Sequence, residues 1–145
     1  MKAVVQRSGK TTLSVDGKLI SEIPHGLTVY LGVATGDEES LCAVMAKKLA
    51  NLRIFADENG KMNKSVLDVG GEILLVSQFT LLADTSHGNR PSFIGAEEPT
   101  RANALYQKTA AAFRALGVTV KCGVFGADMT IQQENQGPVT ILLEF

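Results

Sequence analysis

Apolar and polar positions change period several times along the chain, and each change marks a predicted element. Residues 2–7 alternate and predict a strand. Thr12-Leu13-Ser14-Val15 alternates again and Asp16-Gly17 follows, before Leu19-Ile20-Ser21-Glu22-Ile23. An Asp-Gly pair between two such runs predicts a tight hairpin. Leu27, Val29, Leu31 and Val33 recur with period two and predict another strand with one buried face. Leu41, Val44, Met45, Leu49 and Leu52 then take up helical spacing. Asp37, Glu38 and Glu39 precede this helix and Lys47-Lys48 lie near its end, as the helix dipole favours. The acidic run therefore reads as a helix start, not a metal site.

Asp57-Glu58-Asn59-Gly60 reads as a turn. Glu72-Ile73-Leu74-Leu75-Val76-Ser77 is almost continuously apolar, which predicts a central strand buried on both faces. Ala83 to Gly95 holds Asp84, Gly88 and Pro91 and reads as a long surface loop. Pro99 to Leu116 predicts a second helix with Ala102, Leu105, Tyr106, Thr109, Phe113 and Leu116 inward, and Gly117 as its stop. Three β-like stretches close the chain: Val118–Phe125, Met129–Glu134 and Val139–Phe145. The order is four strands, helix, strand, helix, then about three strands. It predicts an α+β fold, a single domain over residues 1–145 with a mostly antiparallel or mixed sheet and two main helices.

Composition narrows the function. With 45% hydrophobic and 20% charged residues in 145, the chain can bury a core and is not disordered. No apolar run approaches the ~18 residues of a membrane span. Residues 1–7 lack the apolar stretch of a signal peptide, so a cytoplasmic location is expected. Cys42 and Cys122 are 80 positions apart and are expected to be free thiols. His25 and His87 fall in separate turn-like segments, and no metal-ligand spacing occurs, so neither a metal nor another cofactor is expected. The chain also lacks the nucleophile-elbow, P-loop and dinucleotide-binding glycine patterns. Its net charge of −1 excludes a protein that coats nucleic acid through a wholly basic surface. Local patches remain: from Lys47 to Lys64 five cations face two acids, a net +3, and Arg90, Arg101, Lys108 and Arg114 form a second source.

Two segments carry candidate chemistry. Ser77-Gln78-Phe79-Thr80-Leu81 ends the apolar strand with three polar side chains in four residues. Either the strand simply reaches solvent, or its end offers hydroxyls and backbone N–H groups to an oxyanion. Asn135-Gln136-Gly137-Pro138-Val139-Thr140 is either a turn or a cis X-Pro element that aims consecutive carbonyls at one point.

Together these segments make the chain resemble the D-aminoacyl-tRNA deacylase family over nearly its whole length. The markers are Met1–Arg7, Arg53-Ile54-Phe55 with Asp57 and Gly60-Lys61-Met62-Asn63, Ser77–Leu81, Arg90-Pro91-Ser92-Phe93 and Asn135–Thr140. Gly9-Lys10-Thr11-Thr12 is less typical of the family. The resemblance implies a barrel-like sheet and a homodimer with two composite pockets. Ser77, Gln78, Phe79 and Thr80 would line a pocket of one subunit. Gly137 and Pro138, joined by a cis bond, would enter it from the partner and exclude the side chain of an L-amino acid. Arg7 would brace that element. The implied substrates are tRNA carrying a D-amino acid or glycine.

Thr80 as a nucleophile would need a base within hydrogen-bond reach, and neither motif contains one. The alternative is that the ribose 2′-OH of the tRNA assists water, while the Phe79 and Thr80 amides hold the oxyanion. Phe125 and Met129 are candidates for stacking against the terminal adenine, with core packing as the other reading. Two rival functions stand beside this one: an editor of mischarged L-alanyl-tRNA, and a nucleic-acid-binding protein without hydrolysis.

Overall fold

The computed structural model describes residues 1–145. Strand β1 (Lys2–Val15) organises the sheet. Its first half pairs antiparallel with β3 (Gly26–Gly32), and its second half pairs antiparallel with β2 (Lys18–Ile23). Asp16 and Gly17 make the hairpin with φ of 50° and 74°, the left-handed conformations that an Asp-Gly turn supplies.

Helix α1 (Ser40–Ala50) follows, then a small hairpin of β4 (Phe55–Ala56) and β5 (Met62–Lys64) around the 57–60 turn. Strand β6 (Glu72–Ser77) runs parallel to β3 and, on its other side, to β7 (Val120–Cys122). Helix α2 (Pro99–Ala115) connects β6 with β7. The long β8 (Thr130–Glu144) returns antiparallel along β1.

The path β2-β1-β3-β6-β7, with β8 on the outer side of β1, curls until Ser21 Oγ donates to the Cys122 carbonyl at 2.7 Å. That bond nearly closes a barrel. Val5, Leu27, Val29, Ile73 and Leu75 face the two helices, where Met45, Leu49, Tyr106 and Phe113 complete the main core. Leu13, Ile23, Leu74 and Val76 form a smaller cluster on the other face. No helix is long and apolar enough to cross a membrane.

The mixed sheet and two helices agree with the sequence, but several details differ. Leu116, expected on the inward stripe of α2, is exposed, because the helix ends at Ala115 and Leu116 is its C-cap. The two strands expected over 2–15 are one, because Ser8, Gly9 and Thr11 are buried and keep the strand running through a polar stretch. Ser8 and Thr28 satisfy each other there at 3.1 Å. The last two of the three closing stretches are also one strand, running through Gly137-Pro138 with its register shifted opposite Gln6 to Thr11. Proline lacks an N–H, so it fits only where the ladder is interrupted or at an edge. The parallel β3-β6-β7 triplet is a pair of strand-helix-strand crossovers that the chain order conceals. Finally, Asp37 does not serve the start of α1. Its carboxylate takes the Met1 ammonium at 2.7 Å and the Ala34 amide at 2.6 Å.

Candidate functional site

The first candidate segment sits where β6 runs out. Gln78 still belongs to the sheet edge, its amide donating to the Leu31 carbonyl at 2.8 Å. A single 3-10 turn, Phe79–Leu82, then packs its Leu81 and Leu82 side chains over Gly32. A Cβ on Gly32 would lie 2.5 Å from a Leu82 methyl, so glycine lets the turn approach β3. As the opening residues of the turn, Phe79 and Thr80 have amides with no carbonyl partner in the chain. Leu81 is the first to find one, the Gln78 carbonyl at 3.3 Å. The Phe79 ring is exposed and stands edge-on to Phe93, with centroids 5.0 Å apart.

Thr80 Oγ1 accepts a short hydrogen bond from Gln78 Nε2. No carboxylate or imidazole takes the hydroxyl proton. Asp84, the nearest carboxylate in sequence, turns into its own loop: Oδ1 accepts from the Ser86 amide at 2.9 Å. The Ser86 amide and hydroxyl hold the Asp84 carboxyl below the ordinary carboxylate range. This arrangement has two free amide donors and no general base.

The second segment lies on β8, exposed from Glu134 through Pro138, and its Gly137–Pro138 bond is cis. Arg7 reaches across from β1 and grips it. Nε donates to the Gln136 carbonyl at 3.2 Å, and Nη1 donates to the Ile54 carbonyl at 2.7 Å. Gly137 has φ of 121°, and a Cβ there would lie 2.8 Å from Arg7 Nη2. That φ is a conformation L side chains rarely adopt, so glycine suits the position. Ile54 and Phe93 stand in the sequence only within the family markers, with no site role assigned to them. The role of Ile54 is played by its carbonyl, which leaves no mark on the residue type.

The two segments are not neighbours within one chain. Ser77 pairs with Leu31, Leu31 with Ala3, and Ala3 with Leu143. Gly137 and Pro138 lie near the level of Arg7, four residues further along β1 and three strands from β6. At ~3.3 Å per residue and ~4.8 Å per strand, the separation along the sheet is roughly 20 Å. Phe125 and Met129 are both half-buried. Phe125 packs toward Tyr106, with centroids 6.0 Å apart, and Met129 packs on the smaller core cluster.

A family model described as D-Tyr-tRNA(Tyr) deacylase matches residues 4–144. The chain belongs to this family. Its relatives include proteins named D-aminoacyl-tRNA deacylase from Deinococcus radiodurans, 54% identical over 144 residues, and from Aquifex aeolicus, 51% identical over 144 residues. Both alignments cover 99% of this chain, with 99% and 97% of the respective relatives. A solved structure titled c-Myc DNA Unwinding Element Binding Protein superposes with a TM-score of 0.93 at 42% identity, covering 100% of this chain and 99% of the other. A structure titled as a probable eukaryotic D-amino acid tRNA deacylase shares the fold, with a TM-score of 0.85 at 17% identity over 98% and 97% of the two chains.

Proposed function

We propose that this protein hydrolyses the ester of D-aminoacyl-tRNA and of mischarged glycyl-tRNA, releasing the amino acid and spent tRNA. The observation that carries the reading is the full-length relationship to proteins named D-aminoacyl-tRNA deacylase, at about half identity. The intact Ser77–Thr80 and Gly137-Pro138 segments support it.

The Phe79 and Thr80 amides hold the developing oxyanion, the place where preorganised donors contribute most. The ester is already activated, and the adjacent ribose 2′-OH positions or activates water. Thr80 is no nucleophile in this scheme, because its oxygen accepts from Gln78 and no base takes its proton. Phe125 and Met129 offer apolar surface to the terminal adenine.

The enzyme acts as a homodimer. β8 pairs only with β1, which leaves a 15-residue edge strand with Leu142 exposed on it. Such an edge invites a covering chain. The roughly 20 Å between the two segments gives a second copy a further purpose: its Arg7-braced Gly137-Pro138 completes the pocket at Ser77–Thr80. The braced element stands where an L side chain would have to go, so selectivity comes from rejection. Glycine has no side chain to reject.

The test compares amino-acid release from D-tyrosyl-tRNA and L-tyrosyl-tRNA, with a D-tyrosyl substrate ending in 2′-deoxyadenosine as a third arm. The expected outcome is rapid release from the first, none above background from the second, and slow release from the third. No release from D-tyrosyl-tRNA would leave a nucleic-acid-binding protein without hydrolysis. Equal release from the L substrate would exclude the gate.

A further inference from the structure

The chain's cations are unevenly committed. Lys2, Lys10, Lys64, Arg101 and Lys108 are each ion-paired with a carboxylate. Lys47, Lys48 and Arg53 are not, although they crowd one open groove of about 640 Å³ with Val44, Asn51 and Leu52. No acid lines this groove. Helix polarity accounts for Lys47 and Lys48 in the last turn of α1; Arg53 lies beyond the helix, where its Nε donates to the Asn63 carbonyl at 3.0 Å and holds the guanidinium at the groove without a carboxylate partner. The negative helix end is itself masked, since the Asn51 amide and Nδ2 both cover the Lys47 carbonyl, at 3.3 and 2.8 Å. Val44 is exposed beside these charges and, with Leu52, supplies an apolar floor.

The groove is joined directly to the braced element. Arg53 precedes Ile54, whose carbonyl receives Arg7 Nη1, and Arg7 Nε in turn holds the Gln136 carbonyl. One short relay therefore ties the basic groove to Gly137-Pro138 of the same chain.

We infer that the Lys47-Lys48-Arg53 groove binds the phosphodiester backbone of the tRNA acceptor stem, and that it does so on the subunit that donates Gly137-Pro138. The inference rests on the proposed deacylase function and adds the course of the RNA outside the pocket. The 3′-terminal ester sits at Ser77–Thr80 of one subunit. The stem leaves across the element that closes that pocket and so meets the groove of the other subunit. Lysine point charges above an apolar floor suit phosphates and sugars, with no base edge to read, so binding is independent of stem sequence. The net charge of −1 is compatible with this, because the favourable charge is local.

The test uses the full-length protein carrying Lys47→Gln, Lys48→Gln and Arg53→Gln together. Binding of uncharged tRNA is measured against salt, beside release of D-tyrosine from a minimal ester on the 3′-terminal adenosine alone. Each lost phosphate contact lowers the slope of log affinity against log salt by about 0.9, so a fall of about 2 to 3 is expected. Affinity for tRNA at low salt should drop at least about tenfold, while cleavage of the minimal ester stays at the wild-type rate. Lys18→Gln with Lys121→Gln removes two cations outside the groove and should change neither readout. An unchanged slope and affinity in the triple variant would overturn the inference, as would an equal loss on the minimal ester. A wild-type protein that releases D-tyrosine from neither the minimal ester nor D-tyrosyl-tRNA would refute the deacylase function instead, and the salt slope would still judge the groove.

Discussion

Phe79 and Thr80 separate what a side chain does from what its backbone does. Thr80 has the only hydroxyl in the 3-10 turn, yet that oxygen is occupied by Gln78 Nε2. The amides of both residues are free. Thr80→Ala is therefore expected to keep most of kcat on D-tyrosyl-tRNA. Phe79→Pro removes one proposed oxyanion donor at a position suited to it. It opens the turn, and Gln78 before it already has extended φ and ψ of −145° and 80°. Phe79→Ala controls for the lost ring. Single-turnover rates should place Phe79→Pro about 100-fold below Phe79→Ala, the scale of one oxyanion donor. Equal rates for the two would remove that amide from the mechanism. Polar residue types at 77–80 were enough to mark this segment in the sequence. The Ile54 carbonyl and the free amides were not legible, because they are backbone groups placed by neighbouring strands.

At the scale of elements, the two helices are set by different devices. Helix α1 has Glu39 at its N-cap without a side-chain cap bond. Helix α2 has Glu98, whose carboxylate accepts from the Thr100 and Arg101 amides at 2.9 and 3.1 Å. Those bonds, the Thr100 amide foremost, hold the Glu98 carboxyl below its ordinary value. A lowered folded value means that its stabilisation is full above the ordinary carboxylate range and is lost as pH falls through the lowered value. Glu98→Ala should thus lower Tm at pH 7, and the two melting curves should converge in strong acid. A Tm difference independent of pH would point to lost packing instead. The helices, the Asp16-Gly17 hairpin and the central β6 were legible because period and turn chemistry agree there. The full lengths of β1 and β8 were not. A buried Ser-Thr pair and an interior Gly-Pro imitate breaks, and only cross-strand pairing shows that the strands continue.

For the whole molecule, the decisive property is separation. One chain carries both halves of the candidate site roughly 20 Å apart on its sheet. Three cations without an ion pair, Lys47, Lys48 and Arg53, gather beside the half that includes Gly137-Pro138. Neither fact follows from a net charge of −1 or from the two motifs as written. The separation follows from strand order, which places β8 and β6 on opposite sides of β1 and β3.

A purified heterodimer tests the central claim most directly. One chain carries Phe79→Pro with an intact Arg7, and the other carries Arg7→Ala with an intact Ser77–Thr80 segment. As a homodimer, Arg7→Ala should lose about tenfold or more of its preference for D-tyrosyl-tRNA over L-tyrosyl-tRNA, the scale of one charge-assisted hydrogen bond at ~1.5 kcal/mol or above. The heterodimer contains one pocket with an intact 3-10 turn from one chain and a braced Gly137-Pro138 from the other. It should hydrolyse D-tyrosyl-tRNA and spare L-tyrosyl-tRNA as the wild type does. Hydrolysis of L-tyrosyl-tRNA at the rate of the Arg7→Ala homodimer would show that each chain gates its own pocket, and would contradict the account.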